Sequence, residues 1–139
     1  MEAITGHLLS LSERSRGRVV VRELVHLRYS RSSAENFPLS REAPIFLYRG
    51  QAVGFGYYWE GNDPLKALMP REEEQVLGLA QEAAVRMDVP YLAVYVGQIE
   101  GGNWIVIETG DGQFSGVSQT PFLSLWNGLR TTAEGSISA

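Results

Sequence analysis

Two carboxylates near the end of the chain are spaced in a way that suits a hard metal ion. Glu108 closes an apolar stretch that is predicted to be a strand, and Asp111 follows three residues later in the glycine-rich stretch TGDGQFSG. A strand end would hold the first carboxylate rigidly, and a bend would let the second turn back to the same point. Mg²⁺ prefers one or two carboxylates, with water and phosphate oxygens completing its shell. Glu108 and Asp111 are therefore candidate metal ligands.

The same stretch also fits a purely structural role. Asp111-Gly112 is a turn signal, and Glu108 could be the solvated end of a strand. Gly110 and Gly112 would also allow backbone N–H groups to approach an anion closely. From the residues alone the turn interpretation is favoured over a metal site, because short motifs match by chance often.

The elements that would position these carboxylates alternate between hairpins and helices. Apolar periodicity predicts a short helix over residues 3–13, a strand over 19–27, a hairpin of 45–48 with 52–59, a long helix from Pro70, a hairpin of 91–99 with 104–108, and a short final helix over 121–129. Residues 29–41 are polar and predict a loop. Because hairpins pair antiparallel strands, we expect an α+β fold with its helices on one face of a small sheet.

Composition limits the remaining possibilities. The 139 residues predict one domain, with residues 1–17 as an N-terminal helix and linker, 18–129 as the folded unit and 130–139 as a flexible tail. A net charge of −4 gives no basic face for a nucleic-acid partner, and the absence of cysteine excludes thiolate metal sites. No apolar run is long enough for a bilayer, and the N-terminus lacks the pattern of a signal peptide. We expect a cytoplasmic protein with no membrane partner.

Longer stretches of the sequence resemble the C-terminal half of ATP-grasp proteins. YLAVYVGQIEGGNWIVIETGDGQFSG is similar to the terminal hairpin and loop of that family. Upstream, GRVVVRELVHL resembles the strand leading into the adenine-binding hinge, and REAPIFLYRGQAVGFGYYW resembles the E-x-R-x-F hairpin that follows. These elements occur in the family's order over residues 18–129.

This resemblance implies ATP held between two α+β subdomains, with Mg²⁺ bridging its phosphates. The chemistry of the family converts a carboxylate into an acylphosphate, which an amine or another nucleophile then attacks. On this mapping Glu108 and Asp111 would be the metal ligands. The predicted cofactor contacts are Glu23, Leu24 and Val25 at the adenine hinge, and Gln113 and Ser115 on the substrate side of the final loop.

Three parts of the family's site are missing from the sequence. The phosphate-binding arginine falls at Pro44, and the first acidic ligand falls at Tyr95. The ATP-binding lysine has no counterpart, since Lys66 lies in a predicted loop, while Arg41 and Arg49 lack the expected spacing to replace the arginine. Phosphoryl transfer depends on positioning and charge neutralisation, so each loss should be severe.

Two functions from different classes follow from these features. The first is a degenerate ATP-grasp domain, inactive as an isolated chain, that binds nucleotide and Mg²⁺ weakly. The alternative is a non-catalytic interaction module that retains only the fold. In either case a half domain should expose the surface that meets the missing subdomain, so we expect a homodimer or a partner chain supplying that subdomain.

Overall fold

The computed structural model describes residues 21–32 and 37–135. Its main sheet is antiparallel, with strand order β4-β3-β5-β6. The strands of this sheet are β3 (Glu42–Tyr48), β4 (Gln51–Phe55), β5 (Tyr91–Gln98) and β6 (Trp104–Asp111). A separate two-stranded sheet pairs β1 (Tyr29–Ser32) with β2 (Pro38–Ser40), and the helices are α1 (Pro70–Met87) and α2 (Phe122–Gly135). The predicted α+β class and both predicted hairpins are confirmed.

Helices cover both faces of the main sheet, so the prediction that they share one face is wrong. On the α1 face, alternate residues of β3 and β5 pack against α1; this cluster contains Ala43, Ile45, Leu47, Leu92, Val94 and Val96 with Val76, Ala80 and Ala84. On the opposite face, which we call the α2 face, Phe46, Ala93 and Tyr95 pack with Val53 and Leu125. The physical reason is that β3 and β5 are apolar at consecutive positions, so each face needs its own cover.

Helix α1 begins and ends where the sequence predicts. Pro70 occupies the first turn, where its missing N–H costs nothing, and the Glu72 carboxylate accepts the Met69 N–H at 2.9 Å. Asp88 closes the helix in the left-handed conformation, and its N–H reaches the Ala84 carbonyl at 3.0 Å. In the part of the chain that the structure describes, neither helix is both long and apolar enough to cross a bilayer.

The strand predicted over residues 19–27 is not formed in its described part. Residues 21–26 have no regular secondary structure, and Leu27 makes only an isolated antiparallel bridge to Ile99. Val21 and Leu24 are 71% and 82% exposed, so these apolar side chains lack the pleated neighbour surface that favours a strand. The helix predicted over residues 3–13 lies outside the described residues.

Three other boundaries differ from the predictions. The loop predicted over residues 29–41 contains the β1–β2 hairpin, because backbone pairing from Tyr29 to Ser40 does not need apolar side chains. Strand β4 ends at Phe55 rather than at residue 59. Helix α2 continues to Gly135, so the first half of the predicted flexible tail is helical.

A bulge in β6 sets the direction of every later side chain on that strand. Tyr95 pairs with Glu108 and Val96 pairs with Val106, which leaves Ile107 as an extra residue. The Arg22 guanidinium donates a hydrogen bond to the Ile107 carbonyl at this point. The strand continues past the bulge to Asp111, beyond the predicted end at Glu108.

Candidate functional site

Two carboxylates share the α2 face of the sheet. Glu108 pairs directly with Tyr95 of β5, and Glu42 pairs with Gly97 two residues further along β5. Paired residues point to the same side, so both carboxylates lie on the side of Tyr95. Burial raises the pKa of Glu42, the Ser40 hydroxyl that donates to this carboxylate lowers it, and the charge of Glu108 raises it again. The two carboxylates are therefore close enough to interact.

Tyr58 forms an aromatic wall beside these carboxylates. Its N–H donates to the Glu42 carbonyl at 3.0 Å, which keeps the chain alongside β3 after β4 has ended. Its ring meets the Tyr95 ring edge-on, with centroids 5.8 Å apart, and the Trp59 ring at 4.8 Å. Burial, and then the charge of Glu42, raise the pKa of Tyr58. Tyr58 therefore presents a neutral hydroxyl and an apolar ring to the site.

Asp111 lies on the other face from Glu108. It pairs with Leu92, which belongs to the α1-face core. Its carboxylate accepts the Gln113 N–H at 2.8 Å, which is the hydrogen bond of an Asx turn. The backbone therefore does not bring Glu108 and Asp111 together. In the described residues, no group of three or more acidic or histidine side chains could hold a metal ion.

The residues predicted at the adenine hinge enter at the same end of the sheet as Glu42. Glu23, Leu24 and Val25 are exposed and lie just before Leu27. The Leu27 and Ile107 side chains close over Gly97, where an added Cβ would lie 3.0 Å from Leu27 Cδ2 and 2.6 Å from Ile107 Cδ1. Glycine is therefore required opposite Glu42, and the hinge segment borders the face that carries both carboxylates.

The loop after β6 lies at the opposite end of the sheet. The Gly112 N–H donates to the Tyr91 carbonyl at 3.2 Å, and Tyr91 pairs with Tyr48 at the far end of β3 from Glu42. The Ser115 hydroxyl donates to the Asp111 carbonyl at 2.8 Å, while the Gln113 side chain is exposed. The structure therefore separates Gln113 and Ser115 from Glu42 by the length of β3.

Arg41 cannot replace the missing phosphate-binding arginine. Arginine has five N–H donors. In Arg41, Nε binds the Leu65 carbonyl at 2.9 Å and Nη2 binds the Ala67 carbonyl at 3.0 Å. Both terminal nitrogens bind the Glu72 carboxylate, and Nη1 also binds Gln98 Oε1 at 2.7 Å. The side chain is buried on the α1 face, and every donor is used.

Neither of the other two basic candidates reaches the carboxylates. Arg49 lies in the β3–β4 turn, at the far end of β3 from Glu42, with its guanidinium 5.4 Å from the centre of the Tyr48 ring. Lys66 is exposed in the loop before α1, where its N–H donates to the Asp63 carbonyl at 3.1 Å. The expectation that Lys66 is no substitute for the family's lysine stays a prediction.

Glu42 and Tyr58 are site residues that were not predicted from the sequence. Glu42 entered only as the first position of an E-x-R motif. The available signal was strand alternation, since residues 42, 44 and 46 must share a face. Tyr58 carried no comparable signal, because its place depends on the irregular path of the chain after Phe55.

Comparison with known families identifies the fold. Residues 3–129 match the model of an ATP-grasp domain family, the third family of its clade. The chain belongs to this ATP-grasp family. The match begins within the stretch that was predicted to be an N-terminal helix and linker.

Comparisons with individual proteins add less. No curated protein matches the sequence. Among solved structures, the crystal structure of macrocyclase MdnB from Microcystis aeruginosa MRC is similar at 14% identity, with a TM-score of 0.37. That match covers 89% of this chain and 49% of the other, so the chain spans about half the length of MdnB.

The carboxylates of the α2 face fit the ion that the ATP-grasp family uses with ATP. Glu108 is exposed, Glu42 is half-buried, and both are oxygen donors on one surface. Mg²⁺ is commonly bound by one or two carboxylates together with water and phosphate oxygens. Tyr95 supplies a phenol where the family supplies an acid, and a phenol is neutral at pH 7. The donors present therefore fit a hydrated, loosely held ion.

Proposed function

We propose that the chain is a degenerate ATP-grasp domain, related to carboxylate–amine ligases, that binds a Mg²⁺–nucleotide weakly on its α2 face. The observation that carries this proposal is the placement of Glu42 and Glu108 on one side of the sheet, flanking Tyr95. Two interacting carboxylates on a rigid sheet provide what a phosphate-bridging ion needs, and membership of the ATP-grasp family supplies the ligand class.

Each part of the ligand has a place in this proposal. Glu108 and Glu42 would hold Mg²⁺, which neutralises phosphate charge when it is bound. Residues 23–25 would border the adenine, as the family mapping implies. Leu27 and Ile107 close the floor over Gly97 and exclude water from that end of the face. Tyr58 would limit the ligand on the third side.

The same site is poorly equipped for phosphoryl transfer. Pro44 has no charge at the arginine position, and the Arg41 donors are all engaged elsewhere. Charge that develops on a transferring phosphoryl group would lack its usual cationic partner. We expect no ligase turnover from this chain alone, and a partner chain carrying the lysine-bearing subdomain is the proposed route to activity.

Thermal unfolding with and without Mg²⁺ tests the proposal. For a dissociation constant on the order of 1 mM, 10 mM Mg²⁺ would stabilise the chain by about 1.4 kcal/mol. The melting temperature should then rise by a few degrees, and further when a non-hydrolysable ATP analogue is added. Ca²⁺ with the same analogue serves as the control for a loosely selective site. No Mg²⁺-dependent shift in either condition would contradict the proposal.

An interaction module is the second candidate, and one surface favours it. Phe122, Leu123 and Trp126 on α2 are 66%, 74% and 58% exposed, and they form an apolar patch on the outward side of the helix. Such a patch suits association, and the simplest closed form is a symmetric homodimer.

Light scattering at micromolar concentration tests this second candidate. The wild type should run as a dimer, and Leu123→Glu should convert it to a monomer. Val85→Glu is the matched control, because Val85 is 80% exposed on the other helix. A monomeric wild type would exclude the dimer.

A further inference from the structure

Three residues that are distant in sequence form a closed ring of backbone hydrogen bonds at one end of the site. The Arg28 N–H donates to the Gln98 carbonyl at 2.7 Å, the Gln98 N–H donates to the Arg41 carbonyl at 2.9 Å, and the Arg41 N–H donates to the Arg28 carbonyl at 2.8 Å. Their side chains also converge, since Gln98 Oε1 accepts from both Arg41 Nη1 and Arg28 Nη1, at 2.7 and 3.1 Å.

This ring attaches the hinge segment to the sheet. Beside it, Leu27 bridges to Ile99, and the Glu100 N–H donates to the His26 carbonyl at 3.1 Å. Residues 26–28 are therefore held by the end of β5, and the predicted adenine contacts at residues 23–25 follow from that attachment. Residues 21–26 have no strand or helix of their own to hold them.

We propose that Arg41 is the positioning residue of the nucleotide site. Its side chain fixes Gln98, and through Gln98 it fixes the segment that leads to residues 23–25. The ligand named in this proposal rests on the proposed function, whereas the attachment of the segment does not.

Arginine is the residue that this task requires. The Arg41 guanidinium binds Glu72 on α1, the carbonyls of Leu65 and Ala67 in the preceding loop, and Gln98 on β5. A lysine ammonium has three donors on one nitrogen and cannot make these contacts in their fixed directions. Loss of the planar fork would free the Gln98 amide, which is only 3% exposed and has little room to find water.

The same side chain also fixes the first carboxylate of the site. Arg41 and Glu42 are neighbours at the start of β3, so their side chains point to opposite faces of the sheet. Ser40, on the other side of Arg41, donates its hydroxyl to Glu42. With Arg41 locked on the α1 face, the backbone of Glu42 is held on the α2 face. One buried cation therefore orders both the hinge segment and the metal-binding end.

Local hydrogen exchange separates this role from a general contribution to stability. In Arg41→Lys, the amides of Arg28 and Glu100 should exchange at least about tenfold faster, while amides in the middle of α1 should change by less than about twofold. Affinity for the Mg²⁺-bound ATP analogue should fall about tenfold as the hinge segment loosens. The matched control is Arg86→Lys, because Arg86 also pairs with a glutamate at 2.5 Å but is exposed.

Two results would overturn the proposal. One is unchanged exchange at Arg28 and Glu100; the other is an increase of the same size throughout the fold, which would show a merely structural residue. If Arg41→Lys does not fold, Gln98→Met removes the shared acceptor without deleting a charge and should loosen the same two amides. If the wild type binds no nucleotide analogue, the proposed function fails, and the exchange result alone decides whether Arg41 positions the segment.

Discussion

Arg41 and Glu72 meet through two parallel hydrogen bonds, Nη1 to Oε1 at 2.5 Å and Nη2 to Oε2 at 2.9 Å. The two side chains are only 5% and 19% exposed, and the Arg41 guanidinium also lies 5.1 Å from the centre of the Trp104 ring. The pair joins the start of β3 to the first turn of α1. It consumes a cation that family resemblance would otherwise assign to phosphate.

Removing the arginine should destabilise the chain strongly. Arg41→Met leaves Glu72 with a carboxylate that has lost its partner, and breaking a buried pair in this way costs about 3–5 kcal/mol. Arg86→Met removes an exposed pair with Glu82 and should cost less than about 1 kcal/mol. Urea unfolding monitored by tryptophan fluorescence measures both. Equal costs for the two variants would show that burial of the Arg41 pair adds nothing.

Glu72 also predicts how stability depends on pH. The hydrogen bonds from Arg41 are the main reason that the pKa of Glu72 falls from 4.5 to about 2. A carboxylate with a depressed pKa contributes stability that is complete above the unfolded value and is lost as the pH falls toward the folded one. The free energy of unfolding should therefore decrease between about pH 4.5 and pH 2. Glu72→Gln should flatten that part of the profile; a variant with the wild-type slope would exclude this cause.

Single substitutions should show which carboxylates hold Mg²⁺. Glu108→Gln and Glu42→Gln should each remove most of the Mg²⁺-dependent rise in melting temperature, because both lie on the α2 face. Asp111→Asn should leave most of the rise, since Asp111 lies on the other face and asparagine can still accept the Gln113 N–H. Loss of the rise in Asp111→Asn alone would restore Asp111 as a ligand and remove the site from the α2 face.

Restoring the family's acid should strengthen the same site. Tyr95→Asp places a third carboxylate opposite Glu108 and should enlarge the Mg²⁺-dependent shift. Tyr95 is only 8% exposed, so the variant should be less stable than the wild type when no metal is present. Tyr95→Phe is the control that removes the hydroxyl alone. A shift no larger than that of the wild type would argue against a metal beside Tyr95.

Two glycines should respond to alanine in opposite ways. At Gly56 an added Cβ would lie 2.4 Å from the Thr120 backbone nitrogen, which cannot move aside, so Gly56→Ala should destabilise by about 1–3 kcal/mol or more. Gly78 is exposed within α1 and has no atom within 4 Å of the added Cβ, so Gly78→Ala should stabilise by about 0.5–1 kcal/mol. Urea unfolding measures both, and a stabilised Gly56→Ala would contradict the close approach of residues 119–120.

Much of the fold follows from local patterns in the sequence. The stripe on α1, the capping at Pro70 and the glycine turns of both hairpins act over a few residues, so the sequence predicts them well. The position of α2 was missed although a signal was present. In LAVYV both odd and even positions of β5 are apolar, which requires cover on both sides of the sheet.

The site depends on relationships that local patterns do not contain. Spacing from Glu42 suggested Arg41 as a phosphate ligand, whereas alternation along the strand places neighbouring residues on opposite faces. The ring that joins Arg28, Arg41 and Gln98 spans 70 positions of sequence and is set by tertiary packing. The extra residue in β6 also has no marker in the stretch WIVIETGD, which predicts an uninterrupted strand.

That extra residue, Ile107, determines which acid the protein can offer to a ligand. If β6 ran in regular register through Ile107, Glu108 would pair with Val94 and point into the α1-face core, and Asp111 would pair with Tyr91 on the α2 face. The bulge thus exchanges the roles of the two acids without altering either of them. Gain or loss of a bulge in this strand can therefore change ligand chemistry as effectively as a substitution, and an alignment of acidic residues alone would not show which relatives share a working site.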